Sequence, residues 1–140
     1  MFKDFFGMMF GVNMNDHTHL AAQIIPIYQR HAKAWTDLRG QLLYEKTWLD
    51  RFLAYLPAQA KILDLGCGSG RPIAAYLLQH GHQLTGVDSA DSMLEMAREH
   101  FPEQCWIEAD MRSVNLNRCF DGILAWDSFF HLTPNDQRCM

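Results

Sequence analysis

The chain is predicted to be an α/β protein with a parallel sheet and helices on both of its faces. The first sign is alternation: from residue 61 onward, short apolar runs alternate with longer amphipathic ones, the pattern of repeated β-α-β units. The second is that each apolar run closes on an acid, at Asp64, Asp88, Asp110 and Asp127. The third is a set of glycines at alternate positions, Gly66, Gly68 and Gly70, straight after the first run. Short runs with little polar interruption suit strands covered on both sides.

The elements follow in order. Pro26 suits the first turn of a helix, and Ile27, Tyr28, His31, Trp35 and Leu38 recur at helical spacing until Gly40. A second amphipathic helix is expected over 41–55, with Leu42, Tyr44, Trp48, Leu49, Phe52 and Leu53 as its apolar stripe and Pro57 as its stop. A strand at Ile62–Leu65 leads to a helix over Pro72–His80, closed by Gly81. A strand at Gln83–Val87 leads to a helix over Asp91–His100, started by Ser89 or Asp91 and followed by Pro102. A strand at Cys105–Ala109 leads, through a loop with Asn115 and Asn117, to a strand at Gly122–Trp126. Asn135-Asp136-Gln137-Arg138 reads as the first turn of a further helix. The expected organisation is a poorly ordered extension over 1–13, an N-terminal helical segment over 14–57 and an α/β core over 58–140. No repeat, low-complexity tract or linker divides the chain.

The loop after the first strand carries the chemistry. Glycines there let the backbone approach a bulky ligand at the carboxyl end of a parallel strand. The spacing is G-x-G-x-G, whereas the dinucleotide fingerprint needs G-x-G-x-x-G, and Arg71 stands where its last glycine would be. The Gly-Lys-Ser/Thr of a phosphate loop is absent. Asp64 would repel a pyrophosphate and suits a ligand with an amino group. Asp88 falls one β-α-β step later, where an acid binds ribose hydroxyls.

Lys61-Ile62-Leu63-Asp64-Leu65-Gly66-Cys67-Gly68-Ser69-Gly70, with the three later strand-acid signals, resembles motifs I, post-I, II and IV of the class I S-adenosylmethionine (SAM) dependent methyltransferases. The resemblance covers residues 28–136. It implies a Rossmann-like sheet of seven strands, of which this chain holds the first four. It also implies SAM as cofactor, a small-molecule methyl acceptor and direct in-line transfer. Gly66, Cys67, Gly68 and Gly70 would pass beneath the methionine part and the ribose. Asp64 would face the methionyl amino group, or else satisfy N–H groups at a helix start. Asp88 would accept the ribose hydroxyls, or be a turn aspartate. Ser89 and Met93 would line the adenine, although Met93 fits a helix core as well. Asp110 and Met111 would hold the adenine edge. Trp126 would lie where cofactor meets substrate. Asp127 would orient a substrate or cap a turn, and His131 would be a general base or a packing residue. Tyr28 would close over SAM, with Arg39 near the carboxylate, or simply belong to a core stripe.

Other function classes fare worse. The 140 residues are 49% hydrophobic and 20% charged with net charge −4, which gives no broad basic surface for nucleic acid. Trp126-Asp127-Ser128-Phe129 lacks the Asp/Asn-Pro-Pro-aromatic element of enzymes that methylate amino groups of DNA bases. His17-Thr18-His19 is too short for a metal site, and none is expected. No stretch reaches the length of a membrane span. Residues 1–13 are apolar through Phe2, Phe5, Phe6, Met8, Met9, Phe10 and Val12, but Asp4 interrupts them and no cleavage site follows. Cys67, Cys105, Cys119 and Cys139 form no C-x-x-C, as expected for free thiols in a reducing cytoplasm. The fourth strand should be central in the full sheet yet has no later partner here, so a truncated chain that self-associates through that edge is expected. Two other outcomes are open: a SAM-binding fragment without activity, and an NAD-type oxidoreductase domain.

Overall fold

A computed structural model describes residues 43–140 and, before them, residues 26, 27, 29–31, 33, 34, 36 and 37. The extension over 1–13, Tyr28, Arg39 and the start of the second expected helix lie outside the described residues. Those described between 26 and 37 are helical. They lie against the helix that follows the second strand: Ser92 Oγ donates to the Gln29 carbonyl at 3.1 Å, and Thr36 Oγ1 approaches Met96 Sδ at 3.9 Å.

Helix α1 spans Lys46–Leu53, shorter than the 41–55 expected. Its inward face is Leu49, Phe52 and Leu53, continued by Leu56, and Leu49 is fully buried. Tyr44 and Trp48 were expected on that face but are 78% and 58% exposed. They flank the stripe rather than lie on it, and the Arg51 guanidinium covers Trp48, 5.2 Å from its ring. Strand β1, Lys61–Leu65, leads to α2, Ile73–Gln79. Strand β2, Gln83–Asp88, leads to α3, Asp91–His100. Neither Ser89 nor Asp91 caps α3: the N-cap is Ala90, whose N–H donates to Asp88 Oδ1 at 2.9 Å. Asp91 lies in the first turn and pairs with Arg98 at 3.2 Å.

Strand β3 is Cys105–Glu108, and β4 is only Gly122–Leu124. The Gly122–Trp126 strand expected is cut short: pairing with β1 ends at Leu124, and a turn over 126–128 follows, in which Asp127 has φ +53°. A short 3-10 turn, Phe129–His131, precedes helix α4, Pro134–Cys139. Thr133 caps α4 by accepting from the Asp136 N–H.

The four strands form one parallel sheet in the order β3-β2-β1-β4. Side chains alternate across it. Ile62, Leu84, Trp106 and Leu124 meet Leu49 of α1, Ala74 and Leu77 of α2, and Leu94 and Ala97 of α3. Leu63, Leu65 and Val87 point the other way. Among the described residues that second face is covered by the β3–β4 connection, through Val114, Leu116 and Phe120, rather than by a helix. Gly86 in β2 admits the Trp106 ring, which a Cβ there would meet at 2.4 Å. The strand order reverses between β1 and β4, so a crevice opens at the carboxyl ends of the strands, where parallel sheets place ligands.

Candidate functional site

A cleft fills that crevice. It is lined after β1 by Asp64 and Gly66–Ser69, after β2 by Asp88–Ala90 and Met93, and after β3 by Ala109–Arg112. After β4 it is lined by Trp126–Ser128, His131, Leu132 and Asp136. Arg71, Ile73 and Val87 complete the wall.

The loop after β1 is pulled across β2. Gly66 and Cys67 N–H groups donate to the Val87 carbonyl at 2.7 and 3.1 Å. Gly66 has φ +76°, and a Cβ on it would sit 2.3 Å from the Ser128 Cβ. Only glycine fits that position, because both the backbone and the close approach exclude a side chain. Ser128 Oγ in turn donates to the Leu65 carbonyl at 2.6 Å, which ties the end of β4 to the end of β1.

Asp88 anchors the loop. Its carboxylate accepts from the Gly68 N–H at 2.8 Å and from the Ala90 N–H at 2.9 Å. A carboxylate offers roughly four lone-pair sites, so about two remain for a ligand. Burial raises the Asp88 carboxyl above its usual range, against the opposing pull of the N–H groups of Ala90, Gly68 and Ser89.

Asp64 is set differently. It is buried at the end of β1, and no hydrogen bond reaches its carboxylate among the described residues. Burial, and then the neighbouring charge of Asp88, push it up to about 7. A buried acid facing a cleft without a donor suits a cationic ligand group. The Cys67 thiol is pushed well above its usual value by burial and by Asp64 and Asp88, so it stays protonated.

At the far edge Asp110 is held by Arg112, whose bonds keep its carboxyl below the usual range. Five acids, Asp64, Asp88, Asp110, Asp127 and Asp136, face two arginines, Arg71 and Arg112, so the wall favours positive charge.

The sequence-predicted residues largely meet here. Asp64, Gly66, Cys67, Gly68, Asp88, Ser89, Met93, Asp110, Met111, Trp126, Asp127 and His131 all line the cleft. Gly70 does not. It has φ +75°, and a Cβ on it would press on Phe101 and Trp106 behind the loop, so it serves the turn and its packing rather than the cleft. Tyr28 lies outside the described residues. Sequence reasoning missed Ser69, Arg112, Ser128 and Asp136. Arg112, two residues after an acid, and Asp136, three after a Thr-Pro, gave local signals; Ser128 gave none.

The family profile described as "Methyltransferase domain" matches residues 62–140, more than half of the chain. "Putative methyltransferase YqeM" of Bacillus subtilis (strain 168) is 32% identical over 119 residues, 79% of this chain and 46% of that protein. "Trans-aconitate 2-methyltransferase" of Enterobacter sp. (strain 638) is 43% identical over 65 residues, 46% of this chain and 26% of that protein. The solved structure of a TehB-like SAM-dependent methyltransferase from Corynebacterium glutamicum superposes with a TM-score of 0.64 at 30% identity, covering 81% of this chain and 63% of that one. The chain thus spans about half or less of the length of these curated relatives. A parallel sheet reversing between β1 and β4, a glycine loop bound to the acid after β2 and the matching profile agree: the chain belongs to the methyltransferase-domain family.

Proposed function

We propose that this chain forms the SAM-binding part of a methyltransferase acting on a small molecule. The observation that carries the reading is Asp64, a buried acid without a hydrogen-bond donor among the described residues, in the same cleft as the Asp88-anchored glycine loop. Asp64 would receive the methionyl ammonium. Asp88 would hold the ribose hydroxyls with the lone pairs that Gly68 and Ala90 leave free. Ser89, Met93, Asp110 and Met111 would border the adenine. When bound, SAM supplies an electrophilic methyl group, so the protein need not provide a nucleophile. The chain's residues orient that group and exclude water. Trp126, Asp127 and His131 line the cleft and would border the acceptor end, where Asp127 would orient the acceptor and His131 would take a proton from it. The small-molecule class is supported by the relative named for trans-aconitate.

Location and association complete the reading. All four cysteines are free, which supports a reducing cytoplasm. Among the described residues no helix is long and apolar enough to cross a membrane. Among the described residues strand β4 is paired on one side only and its Ile123 is 61% exposed, which supports association through that edge. The net charge of −4 argues against nucleic acid as partner.

Calorimetric titration with SAM, S-adenosylhomocysteine and NADH tests the cofactor. Micromolar binding of the first two and none of NADH is expected; binding of NADH alone would refute it. Turnover with candidate acceptors then separates an active enzyme from a chain that only binds SAM.

A further inference from the structure

The Asp110 carboxylate is gripped by one neighbour. Arg112 brings it three N–H groups: the backbone N–H to Oδ1 at 2.9 Å, Nε–H shared between Oδ1 at 2.9 Å and Oδ2 at 3.0 Å, and Nη2–H to Oδ2. A carboxylate has roughly four lone-pair sites, so an incoming amino group must compete with Arg112 for this one. Asp110 follows β3 at one edge of the sheet. The same guanidinium has a second acid at the opposite edge: Nη1 lies 3.7 Å from Asp136 Oδ2, in the first turn of α4. Asp136 Oδ2 also accepts from Thr133 Oγ1 at 2.9 Å, while its Oδ1 accepts nothing among the described residues. Arg112 therefore spans the cleft from the adenine side to the side that carries His131.

We propose that Arg112 is a two-position clasp that yields Asp110 to the adenine amino group and moves its fork onto Asp136 as the cofactor enters. The proposal rests on the SAM reading above. Exchange is cheap because all three side chains are wet, Arg112 44% exposed and both aspartates 32%. While Arg112 grips it, the Asp110 carboxyl lies below its usual range, and once released an exposed aspartate is still ionised at neutral pH. The planar fork that now grips Asp110 matches a carboxylate in two bonds, so Asp136 can take it whole. Cofactor binding at the β3 edge would then pin the first turn of α4 at the β4 edge. The acceptor side is completed after the cofactor is in place, which makes Arg112 a positioning residue that couples the two ends.

The test is calorimetric titration of S-adenosylhomocysteine, which has no net charge, into wild type, Arg112→Lys, Arg112→Gln and Asp136→Asn. Lysine keeps the charge but lacks the planar fork. Both Arg112 variants should bind about twofold to fivefold tighter than wild type, because the competitor for Asp110 is weakened. Asp136→Asn should bind about twofold weaker, because the second seat is lost. Binding should slow amide hydrogen exchange over 134–139 in wild type and not in Asp136→Asn. Weaker binding by either Arg112 variant would overturn the proposal, and so would Arg112→Lys behaving as wild type while Arg112→Gln tightens, since charge alone would then be acting. Equal protection of 134–139 in wild type and Asp136→Asn would also overturn it. No binding by wild type would instead refute the cofactor reading beneath it.

Discussion

Asp64 is a residue the fold holds at a cost to itself. Its folded pKa is about 7 against 3.8 in the unfolded chain, so the native state keeps a proton that the unfolded state has released. The contribution to stability is complete below the unfolded value and is lost as pH rises through about 7. Asp64→Asn removes that charge, so the variant should melt above wild type at pH 8, and the advantage should shrink as pH falls below about 7 and vanish only near the unfolded value of 3.8. Each kcal/mol appears as roughly 2–4 °C in a domain of this size. The same variant should bind SAM at least tenfold more weakly, since a buried charge-assisted bond is worth about 1.5–3 kcal/mol. Calorimetry in buffers of different ionisation enthalpy should show wild type releasing protons on binding SAM at pH 6, because the ammonium favours the ionised acid. Asp88→Ala is the companion change. It frees the Gly68 N–H and leaves two ribose hydroxyls without acceptors, so SAM affinity should fall at least tenfold in a protein that still folds. Unchanged affinity in a folded Asp88→Ala protein would remove the ribose assignment.

At the scale of elements, position on a helix decides more than residue type. Leu49 and Trp48 are neighbours on α1, yet Leu49 is fully buried against the sheet and Trp48 is more than half exposed. Leu49→Ala should cost about 2–5 kcal/mol, while Trp48→Ala should stay within about 1 kcal/mol. Chemical denaturation of the two variants checks this, and equal losses would mean that α1 packs by its other face. The same pair shows what the sequence made legible. Periodicity located α1 but drew the stripe too wide, because a run containing Tyr44 and Trp48 reads as apolar whichever way it faces. Strand β4 was overextended for a related reason: Ala125 and Trp126 are apolar, but pairing ends at Leu124 and a turn with positive φ at Asp127 follows, and no propensity announces that. The α2 and α4 boundaries were legible within a residue or two because Gly81 and the Thr133-Pro134 pair are physical stops and starts.

At the scale of the molecule, the cleft is made by topology. Four acids far apart in sequence become one wall because parallel strands end at the same side of the sheet and the order reverses between β1 and β4. That convergence was readable from the repeated strand-acid pattern. Ser128 was not, and Arg112 and Asp136 gave only local signals, because contacts across the cleft such as Arg112 with Asp136 and Ser128 with Leu65 are not encoded in spacing. Among the described residues the same topology leaves β4 at an edge with an exposed isoleucine. Ile123→Lys should reduce concentration-dependent association, as charges do on strand edges, while leaving SAM binding intact. Sedimentation velocity over a range of concentrations reads that directly, and unchanged association would place the contact elsewhere. A crystal structure of the chain with S-adenosylhomocysteine shows whether this cleft is built for SAM. The amino group is expected on Asp64, both ribose hydroxyls on Asp88 and the adenine between Met93 and Met111. A nucleoside bound away from Asp88, or a ligand whose amino group does not reach Asp64, would contradict that assignment.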